Sequence, residues 1–152
     1  MEAYLDALAA FLSTDAGTRG IYWVLGDIGM GAPPGWPFGL IIAYDDVAKS
    51  ISSGPHGVDD DTYTIDVLIV DGPLQYGDAV QTAGTGYYEV PGYRKLLQLA
   101  QATRSTLRAN ITLGGVGASS EVGNIRNVGV QIDKRMYRGA RIRVTAKQRR
   151  QR

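Results

Sequence analysis

The sequence predicts an α+β domain, a mainly antiparallel or mixed β-sheet of four to five strands packed with two α-helices. Three observations carry this. Residues 2–13 and 89–110 repeat apolar side chains at helical spacing. Residues 38–44, 62–71, 128–132 and 140–147 are apolar runs or alternate with the period of a strand. Neighbouring strands are joined by short connections, which favours antiparallel pairing over parallel crossovers.

In the first helix, Tyr4, Leu5, Leu8, Phe11 and Leu12 form the apolar stripe, Glu2 and Asp6 stand near its start, and Gly17 and Gly20 end it. Residues 21–25 are a short β-branched and aromatic run, equally compatible with strand or helix. Four glycines and two prolines make 26–35 a loop. Residues 38–44 read as a buried strand entered through Trp36-Pro37, and 49–61 as a polar loop around His56. The clearest strand is 62–71: Tyr63, Ile65, Val67 and Ile69 share one face, and Thr62, Thr64 and Asp66 the other. Leu68 and Val70 break that polarity, so its far end is expected to be covered on both faces.

Residues 72–86 are a long glycine-rich loop without period. In the second helix Pro91 is placed in the first turn. Tyr93, Leu96, Leu97, Ala100 and Leu107 form its buried stripe, with Arg94, Lys95, Arg104 and Arg108 on its wet face. Residues 112–123 are a second flexible loop. Two strands close the chain: Val128, Val130 and Ile132 alternate with Gly129 and Gln131, then Ala140, Ile142, Val144 and Ala146 with Arg141, Arg143, Thr145 and Lys147. Residues 1–147 form a single domain and 148–152 a basic tail; no internal repeat appears.

At 152 residues the chain is long enough to bury a core. Without cysteine it has neither disulfides nor thiolate metal sites, which fits a reducing compartment. No apolar run approaches the roughly 20 residues that span a bilayer, and the acidic start is the wrong charge for a secretory signal. The expectation is a protein that works where it is made, without a membrane. Its near-neutral net charge hides a segregation. Residues 1–90 hold thirteen acidic and two basic side chains, a net −11; residues 91–152 hold fourteen basic and two acidic, a net +12. Such polarity orients association between copies or with a charged partner, although folding can interleave the two halves.

The sharpest local feature is the last strand, which puts Arg141, Arg143 and Lys147 on one face; Arg138, Arg149, Arg150 and Arg152 extend the patch. The candidate interface is therefore Arg138, Arg141, Arg143, Lys147, Arg149 and Arg150. Such a ladder grips phosphates or an acidic protein surface, and its density exceeds what protecting a strand edge needs. A protein partner is favoured over nucleic acid, because Tyr137 alone gives little for bases to stack on.

Other motifs read as structural. Asp59, Asp60 and Asp61 are consecutive, lack calcium-loop spacing, and suit a solvated turn. His56, the only histidine, sits between Pro55 and Gly57 with no nucleophile constellation. Residues 114–123 lack the Lys-Ser/Thr ending of a P-loop and suit a loop that orders against a neighbouring subunit. Nothing brings the Asp66 and Glu89 carboxylates together, and Asp66 reads as the wet face of its strand. No catalysis, metal or cofactor is expected.

The order of elements, with Trp36-Pro37-Phe38 entering the first sheet strand, resembles the tail terminator (tail completion) proteins of long-tailed bacteriophages. Residues 2–13, 21–28, 38–44, 62–70, 89–110 and 125–146 fall in the order of that family's helices and strands. The resemblance covers nearly the whole chain, as architecture rather than as a catalytic signature, and the loops 72–86 and 112–123 are longer than a minimal member needs. It implies a virion neck protein assembled in the host cytoplasm. Copies of the chain would form a ring, hexameric in this family, that caps the tail tube, ends its polymerisation and offers a surface to the head-tail connector or head-closure protein. DNA would only pass through. The acidic and basic regions would serve as complementary ring faces, or divide between lumen and tube, and reversing Arg141 and Arg143 to Glu would weaken assembly. Two other readings stand beside it: a head-closure or adaptor protein of the neck, and a nucleic-acid-binding module using the basic half.

Overall fold

The computed structural model describes residues 1–26, 31–50, 57–71, 79–110, 113, 119–132 and 134–151; for 45–50, 119, 135 and 149–151 it describes the backbone only. The chain is an α+β fold whose elements run α1 (Glu2–Thr14), β1 (Tyr22–Leu25), β2 (Phe38–Ser50), β3 (Val58–Val70), β4 (Val80–Gln81), β5 (Tyr88–Glu89), α2 (Tyr93–Ala109), β6 (Ser119–Ile132) and β7 (Arg135–Gln151). The main sheet has five strands in the order β1-β2-β3-β7-β6; β4 and β5 form a separate small hairpin. The sheet is mixed, since β1 runs parallel to β2 and every other pair is antiparallel.

Both helices lie on one face. Tyr4, Leu8 and Leu12 of α1 and Leu96, Ala100 and Leu107 of α2 pack in one buried cluster with Tyr63, Ile65, Val67 and Ile69 of β3 and Ala140, Ile142, Val144 and Ala146 of β7. The period-two reading of β3 and β7 and the 3.6-residue reading of both helices therefore name the main core. Burial pushes the Tyr4 phenol up from its ordinary value, partly offset by its hydrogen bond with Ser120.

The opposite face carries a second, smaller cluster at one end of the sheet: Phe38, Leu40, Val70, Val130 and Ile132, with Leu68 and Tyr137 packed against them. Leu68 and Val70 thus break the alternation of β3 because that end is covered on both sides, as the sequence predicts. Trp36 lies over this cluster, its ring 5.0 Å from Phe38 and 5.4 Å from Tyr137. Val128, Val130 and Ile132 face this second cluster, whereas the apolar residues of β7 beyond Gly139 face the helices.

Several sequence expectations are corrected. The ambiguous run 21–25 is strand, because β2 offers it an edge from Phe38 to Ile41. The polar loop expected over 49–61 begins and ends in strand: Lys49 pairs with Asp60 and Ser50 with Asp59. His56, in 51–56, lies outside the described residues. The basic tail expected at 148–152 continues β7 through Gln151, with Gln148, Arg149 and Arg150 opposite Asp61, Asp60 and Asp59. Cross-strand register between an acidic and a basic run outweighs the low strand propensity of both. The loop expected over 72–86 contains β4 at Val80–Gln81, and that over 112–123 gives way to β6 at Ser119; 72–78, 112 and 114–118 lie outside the described residues. Pro91 precedes α2 rather than sitting in its first turn. Gly92, left-handed at φ 79°, turns the chain there, and the helix starts at Tyr93.

Candidate functional site

The charge segregation of the sequence is largely folded together. Acidic β3 lies beside basic β7, and their antiparallel register sets Asp59 opposite Arg150, Asp60 opposite Arg149 and Asp66 opposite Arg143. The last pair is closed in detail: Arg143 Nε donates to Asp66 Oδ1 at 2.8 Å and its Nη2 to Oδ2 at 3.1 Å, a bidentate ion pair. The Asp66 carboxylate, first through its hydrogen bond, pushes the guanidinium pKa above its already high ordinary value. The same guanidinium sits 4.3 Å from the ring centroid of Tyr44. Asp66 is therefore not a wet-face residue but a buried one, with its charge matched from the neighbouring strand. Asp59, Asp60 and Asp61 are likewise part of β3, and Asp61 is buried, which corrects the solvated turn.

The six candidate interface residues do not form one patch. Arg141, Arg143 and Lys147 share the face away from the helices, as the strand period predicts. Arg138 belongs to the other face, its guanidinium 5.8 Å from the ring of Tyr93 on α2. There it lines a hollow of about 320 Å³ with Tyr87, Tyr88, Glu89 and Val90. Arg149 and Arg150 stand opposite aspartates of the same chain, and Arg143 is spent on Asp66. Lys147 is exposed and Arg141 half-exposed, and neither makes an ion pair among the described residues.

Arg141 has a companion that the sequence reading missed. Arg126 of β6 is its register partner across the strand pair, and it is exposed. Arg126, Arg141 and Arg143, with Glu121, Gly123, Asn124 and Thr145, line a cleft of about 290 Å³ on the helix-free face. A β-bulge shapes it. Val122 pairs with Val144 and Ile125 with Ile142, so Gly123 and Asn124 together stand opposite Arg143 alone. A Cβ at Gly123 would come within 3.0 Å of the Arg143 carbonyl oxygen, so the close approach suits glycine. From α2, Arg104 donates to the Gly123 carbonyl at 3.0 Å and to Asn124 Oδ1 at 3.1 Å, pinning the bulge. Arg104, placed by the sequence on the wet face of its helix, is thus a structural clamp.

The titratable groups of the remaining surface are dispersed. Asp71 pairs with Lys95 at 3.5 Å and Glu89 with Arg94 at 2.9 Å, so Asp66 and Glu89 serve separate cations. Among the described residues no three His, Cys, Asp or Glu side chains are grouped to hold a metal. No helix described is long and apolar enough to cross a membrane. No protein-family model matches the chain, and no curated protein matches it in sequence.

Proposed function

We propose that this chain is a structural subunit of a bacteriophage tail, forming a ring that caps the tail tube, ends its polymerisation and presents the surface on which head and tail join. One observation carries the reading: the sheet is open on two non-equivalent sides. On one side β6 is a 14-residue edge strand with no outer partner among the described residues. On the other, β1 covers β2 only as far as Ile41, and beyond it, among the described residues, β2 pairs with β3 alone, from Ile42 to Ser50 around a bulge at Tyr44. Unequal sides joined head to tail make a heterologous contact, and heterologous contacts that close make rings. Exposed edges of this length are otherwise a liability that folds cover or blunt.

Apart from the small β4–β5 hairpin before α2, the element order supports the same reading, since helix, short apolar stretch, two strands, helix and terminal hairpin is the arrangement that the tail terminator resemblance implies. The partners under this proposal are other copies of the chain, six in all by that resemblance, the tail tube protein, and the connector or head-closure protein, with DNA as passing cargo. Sedimentation of the protein, alone and with tail tubes, tests the ring. The expected result is one discrete oligomer, favoured by high protein concentration and low salt and retained on the tubes. A monomer under every condition, tubes included, contradicts it. The nucleic-acid reading expects instead that duplex DNA binds with an affinity falling steeply with salt.

A further inference from the structure

We propose that the Arg126–Arg141 cleft is the socket for the acidic face of α1 from a second copy of this chain, with Glu2 and Asp6 as the groups that enter it. The inference rests on the ring reading and specifies which surfaces meet.

The socket is recognised by an unrelieved charge pair. Arg126 and Arg141 are direct cross-strand neighbours, and like charges in that arrangement are destabilising. Arg143, beside them, is neutralised by Asp66. Neither Arg126 nor Arg141 makes an ion pair among the described residues, although Glu121 lines the same cleft. Two guanidiniums held side by side next to a bulge, in a cleft large enough for side chains, suit a pair of carboxylates.

The plug shows the complementary defect. Glu2 and Asp6 stand four residues apart on α1, both exposed and neither ion-paired among the described residues. Like charges at that spacing also disfavour the isolated helix. Glu2 gains from the positive helix N-terminus, but Asp6, a turn further on, gains little. The spacings match: side chains four apart on a helix are about 5–6 Å apart at Cβ, and directly opposed strand residues about 4.5–5.5 Å. Two like-charge pairs of opposite sign would each be relieved by the other.

The sheet separates them within one copy. α1 lies on the helix-covered face, with Tyr4 against Tyr63 of β3 and hydrogen-bonded with Ser120 of β6, whereas the cleft opens on the opposite face. Contact therefore requires a second copy, and because plug and socket differ it is head-to-tail, as a ring needs.

A charge swap tests this. R126E/R141E should match the wild type in circular dichroism and melting temperature, whereas E2K/D6K should keep the wild-type circular dichroism and melt slightly lower, because the favourable position of Glu2 at the helix N-terminus is lost. Each double variant should weaken self-association by roughly tenfold or more, read by sedimentation with tail tubes present. The quadruple variant, with both charges exchanged, should recover most of that loss. Double variants that associate like the wild type, or a quadruple variant no better than either double, would overturn the socket while leaving the ring intact. Wild-type protein that never associates overturns the ring reading itself. Loss of duplex-DNA binding in R126E/R141E, with self-association unchanged, would assign the cleft to nucleic acid and also overturn the proposal.

Discussion

Replacing Ile65 with Ala should lower the unfolding free energy by about 3–4 kcal/mol, the middle of the range for deleting a buried isoleucine side chain beyond Cβ. Ile65 is fully buried at the middle of β3, the central strand of the sheet. It pairs with Ala43 on one side and Val144 on the other, and it belongs to the cluster that joins both helices to the sheet. Strands held by two neighbours and roofed by helices relax little, so most of the deleted volume persists as a cavity. The control is Thr64, next along the strand on the helix-free face and only partly buried. Thr64→Ala should cost well under about 1 kcal/mol. Denaturant unfolding of the two variants checks the sidedness; equal losses would contradict it.

Arg143→Ala should destabilise the fold by about 1–2 kcal/mol, the value of a charged hydrogen-bonded pair discounted for partial exposure. Its side chain is 39% exposed, but its partner Asp66 is only 13% exposed, and the cost lies mainly in leaving that carboxylate unmatched. Contact with the Tyr44 ring is lost as well. Arg141→Ala, two residues along the same face, should leave stability within about 0.5 kcal/mol of wild type, because Arg141 neutralises nothing in its own chain. A double-mutant cycle over Asp66 and Arg143 should give a coupling near 1 kcal/mol or more, and one over Asp66 and Arg141 close to zero. This contrast also changes the assembly variant the sequence suggests. Reversing Arg143 would set a glutamate against Asp66 and confuse folding with docking, so Arg126 and Arg141 are the residues to reverse together.

What was legible in the sequence follows the range over which each signal acts. The faces of β3 and β7 are written in a two-residue period, and Tyr63, Ile65, Ile142 and Val144 lie where that period puts them. The helical stripes are equally local. The partner of Arg143 is not local, since Asp66 is 77 residues away; period gives its face but not its register. For the same reason the sequence period does not single out Arg126. It sits beyond a bulge that displaces the alternation of β6, and only pairing with β7 sets it beside Arg141. Residues 59–61 and 148–151 look like turn and tail because Asp, Gln and Arg are poor strand formers alone. Only register shows that these residues stand opposite each other, where facing opposite charges favour pairing. Charge alone groups Arg138 with the ladder, yet an even-numbered residue on that strand must face the helices with Ala140 and Ile142.

The acidic and basic halves therefore have two uses. Part of the opposition holds β3 to β7 inside one copy. The remainder, Arg126 and Arg141 on one face of the sheet and Glu2 and Asp6 on α1 over the other, is what the proposed ring would use for association. The measurement that tests this account most directly is the length of tail tubes grown in vitro with and without the purified protein, imaged by electron microscopy. The expected result is a ring at one end of each tube and lengths that stop increasing once it binds. Tubes that continue to lengthen with bare ends at saturating protein would contradict it.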